Sequence, residues 1–475
     1  MTATTSPPTH GSTIRNAVIA TDEPPRIVSG MSAFFERWWV PCLVLPMIMS
    51  SDFKWRRRAA QQALAGGIDI EVIIEVCIYA AVFVYLIYKY GKAPRWARTD
   101  NLLFLMWAWT SVTFVSAFYS LFPKLGIVRA VQFVIVATLA QTVANHATLK
   151  HMHRLAHAYL IMLSGFCALG YVWHGALNKT VAGRFHWMYL HPVPAGVYVM
   201  CGTVIAAAYW RSGELRSVIN FWPRWVYAAV CGWIGLALLL TKTRGSIIAA
   251  AVALTFVMLY HSSARHKVST FVLSAISGVT IIVGAGGIIL AYLERGNSAQ
   301  QLATLNDRTN LWKIALSDYV KRPFFGYGLG AARGIFLEQI KLGGGHNAFI
   351  NVLTDQGGLG IVVFVSLLAV MLWRMFRFQK GSIGYRESYL LVPLFVGLLV
   401  NSISCEFMAT QANNAAMWLF MLCAWLTVIS RAQRSADAAG LDLEDEPVAT
   451  PPPPARVVAS PSTTAGPPTT AVVAP

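Results

Sequence analysis

Apolar runs of about 17 or more residues recur along most of this 475-residue chain, and each is long enough to cross a bilayer as a helix. That recurrence constrains the fold more than any other feature. Twelve spans are expected, at roughly 34–50, 70–88, 102–122, 127–145, 156–174, 188–208, 225–241, 245–260, 270–292, 358–376, 388–404 and 413–430. An even number puts both termini on one side. Charged residues make up only 12% of the chain, against about 25% in a soluble domain, so a soluble single-core enzyme is excluded. The fold class expected is an all-α polytopic membrane protein.

The formal charge of +17 comes from 38 Lys and Arg against 21 Asp and Glu. In a soluble protein this excess would suggest nucleic acid. Here the basic residues lie mainly between the apolar runs, where anionic headgroups and the bias of basic loops toward the cytoplasm account for them. No nucleic-acid partner is expected. With both termini cytoplasmic, the inner loops carry Lys89, Arg95, Lys150, Arg154, Arg211, Arg216, Arg224, Arg374, Arg377, Lys380 and Arg386, while the outer loops are poorer. The exception is the cluster Lys54, Arg56, Arg57 and Arg58. The seven cysteines fall in or near apolar runs and form no CxxC or Cys/His metal pattern.

Three regions follow. Residues 1–30 are polar and Pro/Thr-rich, expected as a disordered cytoplasmic segment with no cleavable leader. Residues 31–432 form the membrane domain. Residues 433–475, rich in Pro, Thr and Ala, are expected as a disordered cytoplasmic tail. Within the membrane domain the longest non-spanning stretch, about 293–357, lies between the ninth and tenth spans on the extracytoplasmic side. Long loops of this kind are usually functional, so the chemistry is sought there.

That loop contains Asp307, Arg308 and Trp312, then RPFFGYGLG from Arg322, then GGGHNAFINVLTDQGGLG from Gly343. A neutral His346 can take a proton from a hydroxyl near neutral pH; the plainer reading is an interfacial histidine that caps a helix. Arg244, in the short connector TKTRGS, is either a snorkelling anchor or a guanidinium that grips phosphate oxygens. Arg308 is either a solvated charge or a second diphosphate ligand. Two arginines on one site would suit a dianionic leaving group. Arg129, Arg184, His186, His191 and Arg322 face the same compartment, as boundary anchors or as contacts to the substrate. Glu71 and Glu75, one turn apart in the second span, need partners, either the Lys54 to Arg58 cluster or groups along a substrate path.

No Walker loop, HExxH, GxSxG or dinucleotide fingerprint is present. No DxD-type pair sits in an outer loop, which disfavours metal-dependent sugar-nucleotide chemistry. The order TKTRGS, DRTNLWKIALSDYVKRPFFGYGLG, then GGGHNAFINVLTDQGGLG resembles the O-antigen ligase and polysaccharide polymerase superfamily. The matching positions are Arg244, Arg308 with Trp312, Pro323 with Gly326 and Gly328, and His346 with Asn347, Leu353, Gly357 and Gly360. Thr243 stands where the family usually has serine.

The resemblance covers roughly residues 30–430 and implies a GT-C type helical fold. It also implies a glycan donor carried on a polyprenyl diphosphate at the outer face of the cytoplasmic membrane, used without metal, nucleotide or other cofactor. The acceptor would be a glycan, a lipid or a wall polymer. His346, Arg244 and Arg308 would be catalytic, with Asn347, Arg129, Arg184, His191 and Arg322 binding substrate and Asp355 beside His346. Polymerase and ligase need the same donor chemistry and are not separated by it. A twelve-span transporter is the alternative from another class, and a membrane scaffold using the Pro-rich tail is the third.

Overall fold

The computed structural model describes residues 31–52, 69–91, 100–172, 184–186, 191–261, 308–340, 345–409 and 412–438. The regular structure among the described residues is helical: α1 (Met31–Asp52), α2 (Ile70–Tyr90), α3 (Asn101–Phe118), α4 (Pro123–His146), α5 (Leu149–Val172), α6 (Pro192–Arg211), α7 (Gly213–Ser217), α8 (Arg224–Leu240), α9 (Arg244–His261), α10 (Arg308–Lys321), α11 (Ala331–Ile340), α12 (Ala348–Phe376), α13 (Ile383–Ser404) and α14 (Asn414–Ala438). Their starts follow local rules. Asp69, Asp100, Ser382 and Asn347 cap α2, α3, α13 and α12 with side-chain oxygens, and Pro123 and Pro192 open α4 and α6 where the missing N–H costs nothing.

Eleven of the twelve expected spans coincide with a helix; the twelfth, 270–292, lies outside the described residues, as do the Lys54 to Arg58 cluster, residues 1–30 and the chain after 438. Eight of these helices are long and apolar enough to cross a membrane: α2, α3, α4, α5, α6, α12, α13 and α14. The helices α8 and α9 are apolar but shorter. The count of twelve is thus carried by the sequence reading, and a multi-pass membrane protein by the helices themselves.

Several boundaries differ from expectation for physical reasons. α5 begins at Leu149, about two turns before the expected 156, because its polar first turns are buried by partners rather than by apolar character. α13 likewise starts at Ile383 and encloses Glu387. α3 stops at Phe118, since Ser120 turns its hydroxyl to Leu329 O (2.8 Å) and also accepts Phe122 N–H (3.0 Å). At the other terminus α14 continues helical through residues 433–438, with Gln433 Nε2 donating to Asp437 Oδ1 (3.1 Å).

Contacts fix which helix ends lie together. Arg431 in α14 donates to Ala144 O and Ala147 O at the end of α4, and Arg154 of α5 donates to Arg37 O in α1. Arg374, in the last turn of α12, grips the Asp100 carboxylate with both terminal nitrogens, and Thr427 of α14 donates to the same group. The start of α1 and the end of α14 therefore share one end of the bundle, hereafter the basic end. Arg431 and Arg374 stand at helix C-termini, where exposed carbonyls and the dipole favour a cation; Arg216 adds another by donating to Tyr209 O and Trp210 O.

A buried polar network joins the helices there. Glu387, fully buried, takes Arg386 Nε and Nη2 (3.1 and 3.0 Å), Trp425 Nε1 (3.2 Å) and His153 Nε2 (3.1 Å). His153 Nδ1 meets Tyr209 Oη at 2.5 Å, and His157 Nε2 meets Tyr227 Oη at 2.5 Å. Nearer the middle, Trp109 packs against Phe133, Phe364 and Phe420, joining α3, α4, α12 and α14. In lipid such interfaces are held by close van der Waals packing. Gly397 of α13 lets Met200 and Ala253 approach for that reason. Glu71 and Glu75 are buried, and Gln132 Nε2 donates to Glu75 Oε1 (2.7 Å).

Burial raises the Asp100 carboxyl, but the Arg374 guanidinium outweighs it and holds the group below the ordinary aspartate range. Its contribution is therefore complete above about pH 4 and is lost as pH falls through the lower folded value. Thermal unfolding of purified protein is expected to fall in that acid window, and Asp100→Asn is expected to lower stability at neutral pH and flatten the dependence.

Candidate functional site

At the end of the bundle opposite the basic end, α2, α4, α6, α9 and α14 begin. α12 begins on the same side, after a turn built around His346. The connector TKTRGS joins α8 to α9. Thr241 closes the α8 end through Leu238 O (2.7 Å), Lys242 takes φ 50°, and Thr243 donates to Pro192 O (3.0 Å). Arg184 clamps the connector from outside, donating Nε to Thr241 O (2.8 Å) and Nη2 to Thr243 Oγ1 (3.0 Å). The threonine that replaces the usual serine thus has a structural task. Arg244 is the first residue of α9, half-buried, followed by Gly245 against Ser404 and by Ser246, which accepts from Asn401 Nδ2 (2.9 Å).

The same C-terminal stretch of α13 reaches the histidine. Asn347 Nδ2 donates to Ile403 O (3.1 Å), and the His346 N–H donates to Glu406 Oε2 (2.8 Å). Glu406 Oε2 also lies 3.7 Å from His346 Nδ1. Residues 401–406 therefore touch both the arginine's helix and the histidine's turn. Glu406 is the functional candidate that sequence reading missed; the available signal was a lone carboxylate in the short connector between the last two expected spans.

His346 has φ 48°, a left-handed conformation costing a non-glycine residue roughly 1–2 kcal/mol. The surroundings enforce it. Gly345 donates N–H to Asn351 Oδ1 (3.0 Å) and accepts Trp312 Nε1 (3.2 Å), while Asn347 caps α12 by accepting Phe349 and Ile350 N–H. Helical structure resumes at Ala348, so His346 stands outside the helix with its side chain one-third exposed. A carboxylate beside Nδ1 favours the tautomer protonated there, which leaves the Nε2 lone pair to accept a proton.

The histidine's helix is broken at Gly357 (φ 66°, ψ −160°) and clasped by the 323–330 turn. Gly358 N–H donates to Pro323 O (2.7 Å), Leu359 N–H to Phe324 O (3.2 Å), Tyr327 N–H to Thr354 O (2.9 Å) and Gly328 N–H to Asp355 O (2.7 Å). Gly326, Gly328 and Gly330 have φ of 67°, 92° and 83°, and backbone packs against the first two where a side chain would stand. Asp355, expected beside His346, is instead taken up by this clasp: its oxygens accept Gly330 N–H (2.9 Å) and Ala332 N–H (2.7 Å) and cap α11 from a distance in sequence.

The other expected residues are distributed as follows. Arg308 is the first residue of α10, four positions before Trp312; only its backbone is described. His191 caps α6 by accepting Val193 N–H (3.3 Å), next to Pro192 and the connector. Arg129 is half-buried, one turn beyond Gly126, which packs on Leu329 of the clasp. Arg322 is exposed and stacks 4.9 Å over the Tyr327 ring, on the outside of the turn. The structure thus joins His346, Asn347, Arg184, His191 and Arg244 through short chains of contacts; Arg129 and Arg322 attach to the clasp. Among the described residues, no three His, Cys, Asp or Glu side chains converge as metal ligands.

Residues 229–365 match the family model described as O-antigen ligase. This stretch of the chain is similar to an O-antigen ligase domain. This bears out the superfamily read from the motifs. The matched segment runs from α8 into the second half of α12 and includes Arg244, Arg308, Arg322, His346 and Asn347; Glu406 lies beyond it. No curated protein matches the chain.

The clasp makes two substitutions costly. Asp355→Ala leaves two N–H groups without their acceptor and is expected to destabilise by about 2 kcal/mol or more. Gly357→Ala forces a Cβ onto Phe324 backbone atoms at a left-handed position and is expected to cost about 1–3 kcal/mol. Thermal melts in detergent check both.

Proposed function

We propose that this protein transfers a glycan from a polyprenyl diphosphate to an acceptor hydroxyl at the outer face of the cytoplasmic membrane, with both termini cytoplasmic and a GT-C type helical fold. The observation that carries the reading is the α13 end, residues 401–406, which contacts both the Arg244 helix and the His346 turn. Those contacts support reading His346 as the base and Arg244 as the phosphate ligand of one site.

In the reaction, the acceptor oxygen attacks the anomeric carbon. A new glycosidic C–O bond forms as the bond to the diphosphate oxygen breaks. The leaving polyprenyl diphosphate takes the electron pair, and the hydroxyl proton passes to His346 Nε2. Glu406 positions the imidazole and stabilises its charge after transfer. Negative charge grows on the diphosphate, where Arg244 and Arg308 act as electrostatic stabilisers in a partly water-excluded site. The N-termini of α6 and α9, side by side where Gly196 meets Ser246, add positive dipole ends of the kind that favour phosphate. Arg184 acts through the connector, holding Arg244 in place; Asn347, Arg129, His191 and Arg322 are the remaining candidates for donor or acceptor contact.

The test uses purified protein with a polyprenyl diphosphate-linked glycan. His346→Asn retains a residue type that tolerates the left-handed backbone but removes the base, and transfer is expected to fall about 10²–10⁴-fold with an unchanged melting temperature. Intact transfer in that variant removes His346 as the base. Glu406→Gln is expected to lower kcat and shift its pH profile while leaving the donor KM in place. In cells lacking the protein, single lipid-linked repeats would mark a polymerase and long chains left on their carrier a ligase; an unchanged lipid-linked pool overturns both.

A further inference from the structure

The clasp has a second side, which faces away from His346. Helix α10 buries Leu311, Ala315 and Asp318. On its exposed side Lys313, Leu316 and Val320 follow one another at helical spacing, so Lys313 stands in line with Val320 but about 10 Å further from the turn, and Lys321 flanks them. Beyond Lys313 the apolar strip continues into the turn with Phe324 and Phe325, 73% and 62% exposed. Four large apolar side chains in a row are a poor surface for a loop in water.

Two further observations say what covers them. First, the turn's backbone is paired at most positions. The N–H groups from Gly326 to Gly330 all donate, and the carbonyls of Pro323, Phe324, Phe325, Tyr327 and Leu329 all accept, Phe325 from Tyr119 Oη (2.7 Å) and Tyr327 from Leu121 N–H (3.3 Å). A loop in water can leave such groups to solvent; a turn beside hydrocarbon cannot. Second, the patch is continuous with helix faces that the bilayer covers. Phe324 is bonded to Leu359, where the second half of α12 begins its exposed stripe of Leu359, Val362 and Val365. Phe325 is bonded to Tyr119, next to exposed Phe118 at the end of α3.

We propose that the end of α10 and the PFFGYGLG turn dip into the membrane, with Leu316, Val320, Phe324 and Phe325 seated among the acyl chains of the leaflet at the site end. Lys313, two turns before Val320 on the same side, and Lys321 and Arg322 beside the apolar strip reach the headgroup level through their long side chains. The occupant is bilayer lipid. The stretch read in the sequence as an external catalytic loop is thus partly a membrane-seated element, and the clasp ties its depth to the position of His346. The inference rests on the reading that the long apolar helices cross a bilayer.

The test places the photo-crosslinker p-benzoyl-phenylalanine, one site at a time, at positions 320, 324, 325, 313 and 362 of the full chain in nanodiscs of a defined phosphatidylethanolamine and phosphatidylglycerol mixture. All five positions are exposed, so the substitutions leave the packing intact. Acyl-chain adducts found by mass spectrometry are expected at 320, 324 and 325 in yields matching position 362, and not at 313. Adducts at 362 alone overturn the proposal while leaving the spanning helices in place. Protein-to-protein adducts at 324 or 325 overturn it in favour of a second copy. Loss of adducts at 362 as well overturns the membrane-spanning reading beneath it.

Discussion

A broken helix cannot hold its own shape, and the positions of the candidate groups depend on how the break in α12 is closed. At Gly357 the chain loses helical continuity, and backbone groups on both sides are matched by hydrogen bonds with the 323–330 turn. Asp355 adds a carboxylate that caps α11 across the clasp. The short helical segment before the break then stands as a separate piece, with Asn347 capping its start and His346 just outside. Its direction is set by the turn rather than by the membrane-crossing half. Removing the clasp would leave buried polar groups in an apolar setting, where each missing partner costs about 1–3 kcal/mol.

The bundle's two ends are electrostatically unlike although both are rich in arginine. At the basic end the guanidinium groups meet helix C-termini and buried carboxylates, as Arg431 does with the α4 carbonyls and Arg386 with Glu387. These charges are neutralised locally. At the site end Arg244 opens a helix, so its charge adds to the positive dipole end rather than opposing a negative one. An anion is the natural complement of that arrangement. Of the three left-handed non-glycine residues among the described ones, Lys242 and His346 fall on this side and Asn220 on the other, and strained backbone of this kind can present a group in a fixed direction.

Much of this was legible in the sequence because hydrocarbon is a simple solvent. Apolar runs located eleven helices, and the spacing of Pro323, Gly326, Gly328 and Gly330 marks an irregular connection, whereas the break at Gly357 is not expected from the sequence. Reading failed where burial is achieved by hydrogen bonds instead of apolar character. The first turns of α5 look like a polar loop, with Lys150, His151, His153 and Arg154, yet His153 is fully buried through Tyr209 and Glu387. Asp355 and Glu406 could not be assigned for a related reason. Each acts on a backbone far away in sequence, 25 residues in one case and 60 in the other, and spacing alone carries no sign of such a partner.

The role of α14 has a consequence for how the chain is made. Among the described helices this one leaves the ribosome after the others, and its buried face fills the space between α4, α5, α6 and α12, with Tyr159 bonded to Asn414 and Trp425 to Glu387. Arg431 and Thr427 finish the ends of helices synthesised hundreds of residues earlier. Insertion can proceed span by span, but assembly cannot. Until α14 has been translated, the earlier helices must wait in the bilayer around an empty slot, with the Ala144 and Ala147 carbonyls and the Asp100 carboxylate short of a partner. A chain stalled before α14 would therefore carry its own mark of incompleteness, in polar groups that quality-control proteases in the membrane are suited to find.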